Sequence, residues 1–323
     1  MALLRVEHLK KYYPAPSPLF GPKRFVRALD DVSFELAEGE TLGLVGESGC
    51  GKSTLARQLV RLENPTSGKI FLDDVDLGSL KGAALRKMRG SFQMIFQDPY
   101  GSLNPRMSVY TALEEALKLH TGLDAGGRAE RIAELLRQVG LNPEHARRYP
   151  HQFSGGQRQR IGIARALAVR PRFIVADEPV SALDVSVQSQ IVNLLQDIQK
   201  ETGVAFLFIA HDLAVVEHIS HRIMVMYLGR LTETGPAREL CAHPAHPYTR
   251  ALLSSVPTTR PDKKPDRIML TGDVPSPLDP PSGCRFHPRC PCRQKICEEA
   301  DPPLRPVGTS GGHFCACHFP MEK

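Results

Sequence analysis

No apolar run in this 323-residue chain approaches the roughly 18 residues that a membrane-spanning helix needs. The best one, Val204–Ala210, has the length of a strand. The N-terminus lacks a basic segment leading into an apolar core and cleavage site, so no secretory signal is expected. There is no 20–50-residue repeat and no heptad tract, which argues against solenoids, propellers and long coiled coils. Charge of one sign is also scarce. Forty-one Lys and Arg against 35 Asp and Glu leave +6, too modest and too scattered to point to nucleic acid. Cysteine is nearly missing from the first 240 residues, where Cys50 stands alone. These absences predict an intracellular chain that does not span a membrane.

What is present has average proportions. Hydrophobic residues make up 41% and charged residues 24%, which excludes wholesale disorder, and the length allows about two domains. Short β-rich runs (Thr41–Val45, Phe92–Phe96, Phe173–Ala176, Phe206–Ala210, Ile223–Met226) alternate with helical patterns, as buried strands of an α/β sheet do. A helical insertion, about residues 98–170, places leucines and isoleucines at helical spacing over Thr111–Leu119 and Ala129–Arg137. Composition changes near residue 241. Fifteen of the 27 prolines follow, with six of the eight cysteines (Cys284, Cys290, Cys292, Cys297, Cys315, Cys317) in the last forty residues. Proline restricts φ and removes a donor, so residues 241–323 read as a small loop-rich extension rather than a regular helical or sheet domain, behind a domain over residues 1–240. In a reducing compartment such cysteines point to metal before disulfides.

Gly46-Glu47-Ser48-Gly49-Cys50-Gly51-Lys52-Ser53-Thr54 fits the phosphate-binding loop, between a strand and a helix. Backbone N–H groups would face the phosphates, Lys52 would supply charge and the Ser53 hydroxyl would reach Mg²⁺. Arg172–Asp177 is an apolar strand ending in two carboxylates. Asp177 suits the Mg²⁺ shell, and Glu178 suits a general base for the attacking water. Between them, Ser154-Gly155-Gly156-Gln157 opens a helix and makes a second anion cradle. One nucleotide needs only one. The second implies the γ-phosphate of another subunit.

That Ser-Gly-Gly-Gln resembles the signature of ATP-binding-cassette (ABC) proteins, with Phe153 in place of leucine. The resemblance covers about residues 3–240. It implies a P-loop NTPase with a RecA-like core, an antiparallel β subdomain and a helical subdomain. It also implies Gln97 as the Q-loop glutamine on Mg²⁺ or water, Asp184 in the D-loop, His211 as the switch histidine and Tyr13 (or its neighbour Tyr12) stacked on adenine. The compact single cassette looks like the detached ATPase of a bacterial importer.

Beyond the cassette, His246-Pro-Tyr-Thr249 and the Cys284–Cys290 loop resemble peptide and nickel importer ATPases, nearest to the second ATP-binding subunit of dipeptide importers. The subfamily implies a homologous second ATPase in a heterodimer, two permease subunits, an extracytoplasmic peptide-binding protein, no nucleic acid, and a peripheral location on the cytoplasmic face of the inner membrane. It also favours a [4Fe–4S] cluster on Cys284, Cys290, Cys297 and Cys317, with zinc as the alternative and Cys292 or Cys315 as possible exchanges. Such a cluster is expected to be structural rather than catalytic, lying beyond the cassette and stapling a tail too short to fold on apolar burial alone. Two rivals remain: a nickel or other small-solute importer of the same subfamily, and a soluble non-transport ABC ATPase.

Overall fold

The computed structural model describes residues 2–16, 23–255, 267–308 and 311–321. Its strands are β1 (Ala2–Ala15), β2 (Arg24–Ala37), β3 (Thr41–Val45), β4 (Ser67–Leu72), β5 (Val75–Asp76), β6 (Phe92–Ile95), β7 (Phe173–Asp177), β8 (Ala205–Ile209), β9 (Arg222–Tyr227), β10 (Arg230–Pro236), β11 (Arg305–Pro306) and β12 (Phe314–Cys315). Its α-helices are α1 (Lys52–Leu59), α2 (Gly82–Met88), α3 (Pro99–Ser102), α4 (Val109–His120), α5 (Ala125–Gln138), α6 (Gly155–Leu167), α7 (Val185–Thr202), α8 (Leu213–Ile219), α9 (Ala237–Ala242), α10 (Pro247–Ser254) and α11 (Lys295–Glu299). The chain packs as two compact units.

The first unit is mainly Leu36–Glu40 and Ser79–Ala210. Its strands β6, β7 and β8 are parallel, with Ile95 beside Ala176 and Asp177 beside Ile209. Strands β7 and β8 are buried along their whole length, which is why they read as continuous apolar runs. Helices α4 and α5 are capped by Ser108 and Asp124, whose side chains accept from Thr111 and Gly127 N–H, and they bury Leu113, Leu117, Ile132 and Leu135. Phe153, the departure from leucine, is only 4% exposed and meets His145 edge-on at 5.7 Å. It therefore fills core space.

The second unit holds Leu4–Glu35, Thr41–Gly78 and His211–Lys323. One sheet runs β2-β1-β4-β5, with β1–β4 and β4–β5 antiparallel. Along β2, Val32, Phe34 and Leu36 turn inward and alternate with exposed residues, the period-two signature of a sheet with one wet face. The other strands run β11-β12-β10-β9-β3, parallel only between β3 and β9.

The tail is loop-rich but not without strands, because β12 pairs with β10 (Cys315 beside Glu233) and β11 pairs with β12. Pro306 lies in β11 at the end of that strand order, where a missing N–H costs no ladder bond. Nor is the tail confined to its own apolar burial. Phe286 of the tail packs on Tyr227 and Tyr248 with each ring centroid 5.3 Å away, and all three rings are almost wholly buried. The tail borrows a core that its own composition could not reveal.

Candidate functional site

The phosphate loop leaves the buried strand β3 and enters α1 through Gly51, whose φ of 110° lies in the left-handed region. No side chain caps α1. Gly46 has φ of 155°, and a Cβ there would sit 2.2 Å from the Met226 carbonyl oxygen. The fold thus needs glycine at this position. Lys52 Nζ donates to the Gly46 carbonyl at 2.6 Å and to that of Glu47 at 3.2 Å. Cys50 is buried, its carbonyl accepts from Gly229 N–H at 2.8 Å, and burial pushes its thiol up, so it packs as a neutral group. Of the two N-terminal tyrosines, Tyr12 bonds through its hydroxyl to the buried Asp30. Tyr13 reaches Glu63 and the Thr54 side chain at the head of α1, which makes it the tyrosine beside the loop.

The tail reaches this loop. The Tyr248 hydroxyl accepts from Glu47 N–H at 2.8 Å. Arg289 donates to the Glu47 carboxylate from both terminal nitrogens, at 2.7 and 3.2 Å. Burial works against the guanidinium charge, but Glu47 and the Tyr227 hydroxyl outweigh it and hold Arg289 above its ordinary value. Arg285 binds Asp30 and the Leu228 carbonyl. The tail therefore packs directly against the phosphate loop. Nothing in the local sequence singles out these arginines, and only their placement in three dimensions shows their partners.

In the other unit, Asp177 ends β7 and is 6% exposed. Glu178 follows with φ of +46°, uncommon for a residue with a Cβ and of the kind that clusters at functional sites. Hydrogen bonds on both sides hold the turn. Glu178 N–H still pairs with the Ile209 carbonyl at 2.9 Å, while its own carbonyl accepts from Ser181. Gln97 Nε2 donates to Glu178 Oε2 at 2.9 Å, so the structure brings these two predicted residues together. Ser154 caps α6 in a reciprocal capping box with Gln157, at 3.3 and 3.0 Å. A Cβ on Gly156 would lie 2.5 Å from Val187, whereas one on Gly155 would clear Leu183 at 3.5 Å. Asp184 precedes α7 without a side-chain cap and is exposed, and His211 is exposed just beyond β8.

Five cysteines, Cys284, Cys290, Cys292, Cys297 and Cys317, line one small pocket; Cys315 is not among its lining residues and lies in β12. Burial, reinforced by the neighbouring thiols, pushes Cys290 and Cys317 each up to about 11, so without a metal they are neutral thiols. No three His, Cys, Asp or Glu among the described residues are grouped as ligands of a single ion. Four tail histidines have other partners. His246 caps α10, His287 Nδ1 meets the Cys284 carbonyl, His313 meets Glu233, and His318 meets the Ala300 carbonyl.

Comparison with known proteins agrees with this geometry. Residues 29–181 match the ABC transporter family, and residues 232–297 match the oligopeptide/dipeptide transporter C-terminal region. The chain is 52% identical over 321 residues to the oligopeptide transport ATP-binding protein AppF of Bacillus subtilis, covering 98% of this chain and 97% of that one. It is 50% identical to the dipeptide transport ATP-binding protein DppF of Escherichia coli, covering 98% and 93%. Among solved structures it resembles the dimeric cassette MJ0796 in a post-hydrolysis state bound to ADP and Pi. That likeness has a TM-score of 0.65 and 29% identity, over 73% of this chain and 99% of that one. No helix among the described residues is long and apolar enough to cross a membrane. The phosphate loop, the signature cradle and the two family matches lead to one conclusion: the chain is an ATP-hydrolysing protein of the ATP-binding-cassette family, in the group that carries the oligopeptide/dipeptide-transporter C-terminal region.

Proposed function

We propose that this chain is the energy-coupling ATPase subunit of a bacterial importer for dipeptides or short oligopeptides. The match of the cassette and the oligopeptide/dipeptide-transporter C-terminal region within one chain carries that reading. Lys52 and the loop N–H groups bind the β/γ-phosphates, and Tyr13 supports adenine. Glu178 accepts the proton of the attacking water, oriented by Gln97, while His211 holds the γ-phosphate. Ser154–Gln157 serves the nucleotide of the opposing cassette, and Asp184 borders that joint. Mg²⁺, when bound with ATP, neutralises phosphate charge, and Ser53, Gln97 and Asp177 would hold it.

The quartet Cys284, Cys290, Cys297 and Cys317 lacks the cysteine pairs two to four residues apart that zinc ribbons favour, which supports an iron–sulfur centre over zinc. These four, with Cys292, line one pocket. Cys284, Cys290, Cys297 and Cys317 would hold a [4Fe–4S] cluster, which would supply four thiolate bonds that fasten the tail.

The partners in this reading are a homologous second ATPase, two permease subunits and, through them, an extracytoplasmic peptide-binding protein. The chain sits peripherally on the cytoplasmic face of the inner membrane. Affinity capture from detergent-solubilised membranes tests this. Recovery of a permease pair with a second ATPase is expected. Capture without membrane subunits, together with ATPase activity stimulated by DNA or RNA, would favour a soluble ABC ATPase.

A further inference from the structure

The first residue of the phosphate loop after Gly46 is an acid, and ATP brings about four negative charges to that loop. A free carboxylate there would repel its own ligand. Glu47 is not free. Arg289 takes both carboxylate oxygens, at 2.7 and 3.2 Å, and Tyr248 takes the backbone N–H at 2.8 Å. Arg289 is itself fixed, since it stands over the Tyr227 ring at 6.0 Å and ends the short turn His287–Arg289. That turn lies between Cys284 and Cys290, and its neighbour Arg285 anchors it to Asp30 and Leu228. All of these residues belong to the same unit as the loop.

We infer that Arg289 is a positioning residue for nucleotide binding: it neutralises Glu47 and holds that carboxylate on the tail side of the loop, so that an intact cysteine-bearing tail sets the affinity for ATP. The effect is electrostatic. It should grow with phosphate number, from AMP to ADP to ATP, and shrink as salt rises. It rests on Gly46–Thr54 being the phosphate loop.

Equilibrium binding of AMP, ADP and ATP to the full chain at low and high salt tests it. The variants are Arg289→Ala, Glu47→Gln, the double variant, Arg289→Lys and Lys52→Ala. An unpaired charge beside bound phosphates is worth on the order of tenfold in affinity, so Arg289→Ala should weaken ATP about tenfold and AMP hardly at all. Glu47→Gln in the same chain should restore ATP binding, because no carboxylate is then left to repel it. Arg289→Lys should recover part of the loss. A merely structural arginine would not be rescued by Glu47→Gln. ATP binding within twofold of the parent for Arg289→Ala, or a double variant as weak as the single, would overturn the inference. Should Arg289→Ala fail to fold, Arg289→Lys and Glu47→Gln still decide it: the lysine variant should show the same phosphate-graded loss, and an ungraded loss counts against it. If Lys52→Ala bound ATP normally, the loop assignment would fall and this inference with it.

Discussion

His246 offers a direct measurement of how the tail is tied down. Its ring is fully buried, 5.6 Å from Phe286, and its Nδ1 accepts the Tyr248 N–H that opens α10. The ring must be neutral to accept that bond. Burial lowers its pKa from 6.5 to about 4, against the opposing pull of Glu233 and of a backbone bond with Ala316. A folded value below the unfolded one means that the stabilisation is present above about pH 6.5 and is lost as pH falls toward 4. At pH 5 the linkage amounts to about 2 kcal/mol. Other groups face the site. Glu233 accepts from Ala245 and His246 N–H and meets His313, so the test must isolate one ring. His246→Asn does this, since asparagine caps helices without titrating here. The chain has no tryptophan, so urea unfolding is best followed by circular dichroism at pH 7.5, 6 and 5. The parent should lose about 2 kcal/mol more than the variant between pH 7.5 and 5. Parallel pH profiles would refute the reasoning.

Glu178→Gln should keep ATP binding and lower steady-state hydrolysis by roughly 10²–10⁴ in the assembled transporter, the cost of losing a general base. Turnover within threefold of the parent would reject Glu178 as the base. Gly155→Asp should leave ATP binding to the isolated chain intact and abolish hydrolysis in the assembly, because its new Cβ clears Leu183 at 3.5 Å. Gly156→Ala should instead lower stability by about 1–3 kcal/mol, seen as a reduced urea midpoint, since Val187 stands 2.5 Å from the added carbon. Anaerobically purified protein should be brown, and Cys290→Ser or Cys297→Ser should bleach it and expose the tail to protease. Colourless parent protein would remove the cluster reading.

Periodicity found the fold's interior and missed its edges. Strands β3 and β6–β9 were legible because each is a short apolar run, and α4 and α5 because their leucines repeat at helical spacing. The fourteen-residue strands β1 and β2 escaped residue-by-residue reading and came only through family resemblance. Their exposed faces carry charges that dilute the apolar signal. The candidate nucleotide residues stand out in the sequence because a phosphate cradle needs fixed types at fixed spacing along the chain. Arg289, Tyr248 and Glu47 were not, because their encounter depends on segments about two hundred residues apart. The positive φ at Glu178 likewise comes from β8 gripping its N–H while Ser181 takes its carbonyl, and no local sequence rule states that.

The pairing of β12 with β10 also bears on how the chain is made. Glu233 meets Cys315, and Met321 N–H reaches the Ala245 carbonyl. A chain emerging from the ribosome in order presents the phosphate loop early and these closing segments almost last. The edge of β10 therefore stays unpaired from its own synthesis until the segment around Cys315 is made, open meanwhile to other nascent chains. A product that stops before Cys315 would keep that edge bare, and an exposed strand edge is a template for pairing with other chains.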